Sequence, residues 1–111
     1  MWLVTQHGFF NVIQYPEDRK KDLLTIKARR ESDLIQLKKL TPLGKIEFSD
    51  KADYKYRAKE KRSDVQAGMV EMIGKIDYDK TKSRLNKVHP DRSDIYLSTW
   101  GILCELDECA V

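Results

Sequence analysis

Four side chains of this 111-residue sequence could hold a transition metal or serve as nucleophile and base: His7, His89, Cys104 and Cys109. A structural zinc site is usually built from two short pairs, such as Cys-x2-Cys or His-x3-His. Here four residues separate the cysteines and the histidines stand 82 positions apart. The spacing therefore predicts no metal site. Glu105, Asp107 and Glu108 crowd both thiols, and nearby negative charge opposes the thiolate that nucleophilic catalysis needs. Cys104 reads instead as a small apolar residue of a last helix, and Cys109 as a tail residue. Asp77 and Asp79 form a third group. On a strand both carboxylates would share one side, as a magnesium-type site in a small metal-dependent hydrolase or nuclease requires. At a helix start, Asp79 would simply cap the next turn, with Lys75, Lys80 and Lys82 competing with any metal. No glycine-rich phosphate loop, Gly-x-Ser-x-Gly or His-Glu-x-x-His motif occurs. The expectation is a non-enzymatic chain with no catalytic set and no cofactor.

The residues with the most suggestive spacing are basic. In Leu23–Arg29, Leu24, Ile26 and Ala28 alternate with Thr25, Lys27 and Arg29. In Tyr54–Lys61, Tyr54, Tyr56 and Ala58 alternate with Lys55, Arg57, Lys59 and Lys61. Alternation with period two is the mark of a strand with one buried side. If these strands are neighbours and turn their apolar sides to helices, Lys27, Arg29, Lys55, Arg57, Lys59 and Lys61 share the open face. An open, basic sheet face suits single-stranded RNA or DNA when aromatic rings join the cations, since rings stack bases and cations hold phosphates. Tyr54 and Tyr56 are expected on the opposite side, which leaves Phe9 or Phe10 to supply the ring. A solvated face kept charged against edge pairing is the competing reading.

Other elements must position these strands. Trp2–Val4 and Phe9–Ile13 read as two strands around a turn at His7-Gly8. Ser32 is the expected N-cap of a helix carrying Leu34, Ile35, Leu37 and Leu40, stopped by Thr41, Pro42 and Gly44. Ile46–Phe48 is a short strand. Ser63 and Gln66 fit a capping box for a second helix, with Val65, Met69, Met72, Ile73 and Ile76 as its buried stripe. A short helical turn is expected over Lys80–Asn86, a loop at His89-Pro90-Asp91, and then a last helix or strand with Ile95, Thr99, Ile102, Leu103 and Leu106 inward. The order predicts an α+β two-layer sandwich: an antiparallel sheet with helices on one face, and a ferredoxin-like β-α-β-β-α core extended by an N-terminal hairpin.

Met1-Trp2, Thr5 and Gly8-Phe9-Phe10 are followed by Asp53-Tyr54-Lys55-Tyr56-Arg57 and by Ile76-Asp77-Tyr78-Asp79 with Lys80 and Lys82. Tyr96 and Trp100 come later. With these segments the chain resembles a family of small bacterial and phage proteins. The resemblance implies a bacterial or phage source and brings no functional residue with it.

Composition bounds the rest. Apolar residues make up 41% and charged residues 35%, an ordinary globular balance. The length suits one domain, residues 1–111. No run of 18 apolar residues exists, so no membrane span is expected. The apolar first 14 residues lack the basic start and cleavage site of a leader. Two cysteines are too few for a disulfide framework, which points to the cytoplasm. Net charge is +3, but residues 1–62 hold 15 Lys/Arg against 9 Asp/Glu, whereas residues 63–111 hold 6 against 9. The asymmetry suits an anionic partner or mutual attraction within the fold. The leading expectation is a binding or regulatory domain with a protein partner, in the manner of a phage or mobile-element accessory protein. Nucleic-acid binding through the basic face is the alternative. A second copy, docked through the first strand pair, is a further candidate partner.

Overall fold

A computed structural model describes residues 1–76 and 92–107. Contacts gather the chain into two units, Met1–Ile76 and Asp77–Val111. Asp77, Asp79, the expected turn over residues 80–86, His89, Glu108 and Cys109 lie outside the described residues.

The first unit is built on a five-stranded antiparallel sheet. Its strands are β1 (Trp2–Thr5), β2 (Gly8–Ile13), β3 (Leu23–Ala28), β4 (Glu47–Phe48) and β5 (Tyr56–Lys61), in the spatial order β1-β2-β3-β5-β4. Helix α1 (Glu31–Lys38) joins β3 to β4, and α2 (Arg62–Gly74) follows β5. The fold is α+β, with both helices on one face of the sheet. Phe10 lies opposite Ala28, which lies opposite Tyr56; the next row is Val12, Ile26 and Ala58. These rows pack with Leu34 and Leu37 of α1 and Val65 and Met72 of α2 in one core. The β3-α1-β4-β5-α2 run has the expected chain order. A ferredoxin-like unit would place a last strand, from after α2, beside β3. Here β2 of the N-terminal hairpin holds that position.

Local chemistry fixes the hairpin. The Thr5 hydroxyl accepts from the amides of His7 and Gly8 at 3.1 and 3.2 Å, which sets the turn at Gln6-His7, one residue earlier than expected. Gly8 has φ +147°, a conformation open in practice only to glycine. A Cβ there would sit 2.5 Å from the Cγ of Asp33. The buried Asp33 carboxylate accepts the Phe9 amide proton at 3.1 Å and so ties the base of β2 to the first turn of α1.

The helices differ from expectation in detail. Both begin two residues earlier, with extended Arg30 and Lys61 at the cap positions, and neither Ser32 nor Ser63 serves as a side-chain cap. On α2, Val65 and Met72 join the core with Met69 partly buried against it, and Gly68 is buried against Thr41, whereas Ile73 is 66% exposed and Ile76 62%. The helix ends at Gly74, so Ile76 lies beyond it. Ile73 sits about 100° around the helix from Met72, off the stripe. The chain from Asp53 to Lys55 is bent or irregular and pairing starts at Tyr56. Tyr54 thereby leaves the core row.

In the second unit the last element is a helix, α3 (Ser93–Leu103), extended by a single 3-10 turn, Cys104–Leu106. Ile95, Ile102, Leu103 and Leu106 are exposed rather than inward, as are Leu97 and Trp100.

Two outcomes check this packing. Met72→Ala should lower unfolding free energy by about 2–5 kcal/mol, as large-to-small core changes do. Ile73→Ala should change it by about 0.5 kcal/mol or less; chemical denaturation reads both. Asp22, at φ +49°, accepts hydrogen bonds from Gln14 and Arg62, and the Gln14 bond first, then Arg62, hold its carboxyl below the usual 3.8. A depressed carboxyl stabilises the fold above its unfolded pKa, and this contribution is lost as pH falls through the folded value. The gap in thermal midpoint between the native chain and Asp22→Asn, which keeps the backbone conformation accessible, should therefore narrow below pH 3.8.

Candidate functional site

The register brings four of the expected cations onto the face opposite the helices. Lys27 pairs with Arg57, Thr25 with Lys59 and Leu23 with Lys61. Side chains directly opposite one another on neighbouring strands point to the same side. Arg29 and Lys55 stand just outside the strand ends. Asn11 pairs with Lys27, and Glu47 with Arg57, which extends this outer row to β2 and β4. Lys55 also lies 3.8 Å from Asp50.

Aromatic rings share this face. Trp2 of β1 lies opposite Asn11, and its ring meets Phe9 edge-on at 5.9 Å. Phe9 stacks on Tyr54 at 6.3 Å with 28° between the planes. The Arg29 guanidinium lies 4.5 Å from the Tyr54 ring centre and donates to the Asp53 carbonyl at 3.3 Å. The result is a continuous row: Trp2, Phe9, Tyr54, Arg29. Trp2 is 73% exposed, Phe9 is half-buried and Tyr54 is buried. Of the two phenylalanines, Phe9 supplies the ring, while Phe10 is fully inside the core. Tyr54 is a correction to the alternation, since the bend before β5 turns it to Phe9.

A second aromatic lies farther along the face. A 3-10 turn, Pro16–Asp18, follows β2 with Pro16 at its start. The Tyr15 ring just before it is 5.5 Å from the Lys27 ammonium and 5.6 Å from that of Lys59. The Tyr15 hydroxyl accepts from Arg57 at 3.4 Å, and Asp18 accepts from Lys59 at 2.7 Å. Like charges opposite one another on a sheet repel, and this segment offsets the repulsion with a carboxylate and a ring face. The hydrogen bond to Asp18, and then its charge, raise the Lys59 pKa above 10.5. Sequence reasoning missed this segment. Its signal was two acidic residues, Glu17 and Asp18, beside a proline in a stretch otherwise rich in cations.

A recess of about 140 Å³ opens beside Arg57 and Lys59, lined also by Gly44, Lys45, Glu47 and Ala58. Small-molecule sites usually enclose about 300 Å³ or more, and this recess is smaller. Among the described residues no group of three or more His, Cys, Asp or Glu side chains comes together to hold a metal ion, and no helix is long and apolar enough to cross a membrane. No protein-family model matches the chain, and comparisons with curated proteins and with solved structures give no match.

The Lys59–Asp18 pair is open to direct titration. Because the Lys59 pKa is raised, the pair's contribution to stability is complete below 10.5 and is lost as pH rises through the folded value. Asp18→Asn should lower the Lys59 pKa from its raised value, measured by side-chain NMR.

Proposed function

We propose that the chain is a non-enzymatic binding domain that holds single-stranded nucleic acid, RNA or DNA, on the outer face of its sheet. The observation that carries this reading is the exposed Trp2 ring against Phe9, in one row with Tyr54 and Arg29. Charge alone discriminates poorly between an anion-binding face and a solvated one. A stacking platform joined to cations is the combination that sequence-tolerant single-strand binding uses. Trp2 would stack a base, with Phe9 as its support. Arg29 and Lys55, both exposed, would hold the neighbouring phosphates. A cytoplasmic setting accords with the exposed free thiol of Cys104.

A protein partner is the second reading, favoured by a different observation. Ile95, Leu97, Trp100, Ile102 and Leu103 of α3 are all more than half exposed, which is unusual for an unpartnered helix.

Fluorescence anisotropy with a labelled oligonucleotide decides between them. Trp2→Ala should weaken binding about ten-fold, since one stacked base is worth about 1–3 kcal/mol. Arg29→Ala with Lys55→Ala should weaken all sequences alike and flatten the salt dependence by roughly 1.4 in log–log slope, at about 0.7 per single-strand phosphate. No binding at low salt by the native chain would remove the nucleic-acid reading and leave the protein partner.

A further inference from the structure

The Tyr15–Asp18 segment occupies the basic half of the outer face in an unusual way. Its ring lies within 5.6 Å of two ammonium groups, and its carboxylate is 2.7 Å from one of them. An aromatic ring next to an anion, set on a row of cations, has the chemistry of one nucleotide. Thr25 shows how closely the face is covered there. It points to the outer side between Lys27 and Lys59, yet it is fully buried.

The fit is incomplete. The Thr25 hydroxyl and Arg57 Nε are buried with no hydrogen-bond partner, and the two bonds Arg57 makes through its terminal nitrogens are long, at 3.3 and 3.4 Å. Buried polar atoms without partners are costly. A phosphate offers several acceptor oxygens and suits a guanidinium fork better than one phenolic oxygen does. An entering nucleotide would thus gain bonds that the internal segment leaves unmade.

We infer that the Tyr15–Asp18 segment is a displaceable internal stand-in for a nucleotide, and that it lowers the affinity of the face by occupying Lys27, Arg57 and Lys59. This inference rests on the nucleic-acid reading above. Until the segment moves, ligand reaches only the Trp2–Arg29 end of the row. Once it moves, the three cations join the site.

The test is an anisotropy titration of the full chain with fluorescein-labelled oligouridylate of about ten nucleotides, a length within the usual single-strand site sizes, at two salt concentrations. Native chain, Asp18→Asn and Tyr15→Leu are compared, with thermal melts to show that each is folded. Asp18→Asn should bind three- to ten-fold more tightly at low salt and with a steeper salt slope, because Lys59 becomes free to contact phosphate. Tyr15→Leu should also tighten binding, and it is read in place of Asp18→Asn if that variant does not fold. Adding Lys59→Gln to Asp18→Asn should abolish the gain. Binding by the native chain that is unchanged or weakened in the folded variants would overturn the inference and leave the nucleic-acid reading standing. Absence of binding in all of them would overturn both.

Discussion

β3 meets β5 with Ile26 against Ala58 and Lys27 against Arg57, and the rest of the first unit follows from this alignment. Side chains alternate across a sheet with period two, so a slip of one residue would exchange the faces. The slip would press Lys27 and Arg57 against Leu34 and Leu37, where unpaired charge is very costly. It would also turn Ile26, now fully buried, to solvent. The helices cover one face because this alignment makes that face apolar. The cations lie on the other face for the same reason. Asp33 carries the alignment to the hairpin: its bond to the Phe9 amide fixes β2 against α1, and β2 places Phe9 beside Tyr54.

The same alignment creates a difficulty. Lys27 and Arg57 face each other directly, and Lys59 follows two residues on. Such a row persists when something of opposite character screens it. Glu47 lies opposite Arg57 from the other side, and Tyr15 with Asp18 covers Lys27 and Lys59. The outer face is therefore divided. One half is already screened from within the chain. The other half, from Trp2 to Arg29, presents the Trp2 ring, part of Phe9 and a guanidinium to solvent. The proposed nucleic-acid contact rests on that division, since aromatic exposure remains where internal screening stops.

Much of the architecture was legible in the sequence. The strands β3 and β5 were visible because an alternation of six residues has one simple explanation, and four of the six expected cations fall in register on one face. The helices were visible from their apolar spacing, but their caps were not. Ser32 and Ser63 have suitable side chains, yet the chain enters each helix two residues earlier, at Arg30 and Lys61, and leaves no hydroxyl to cap. Ile73 and Ile76 are apolar and near the stripe, and only the helix's rotation and its end at Gly74 show that they are outside it. Tyr54 belongs by parity to the core, but parity holds only inside a paired strand and β5 starts at Tyr56. The internal cover at Tyr15–Asp18 depends on contacts 41 and 42 residues away in sequence, which no local pattern contains.

Amide and indole NMR spectra recorded during titration with a single-stranded oligonucleotide test the outer-face reading most directly. Binding on the outer face should give fast, saturable shifts at the Trp2 indole and at the amides of Phe9, Arg29 and Lys55, with the amides of Leu34, Leu37 and Met72 on the helix side unmoved. Shifts centred on α1 or α2, or a spectrum unchanged at low salt, would contradict it.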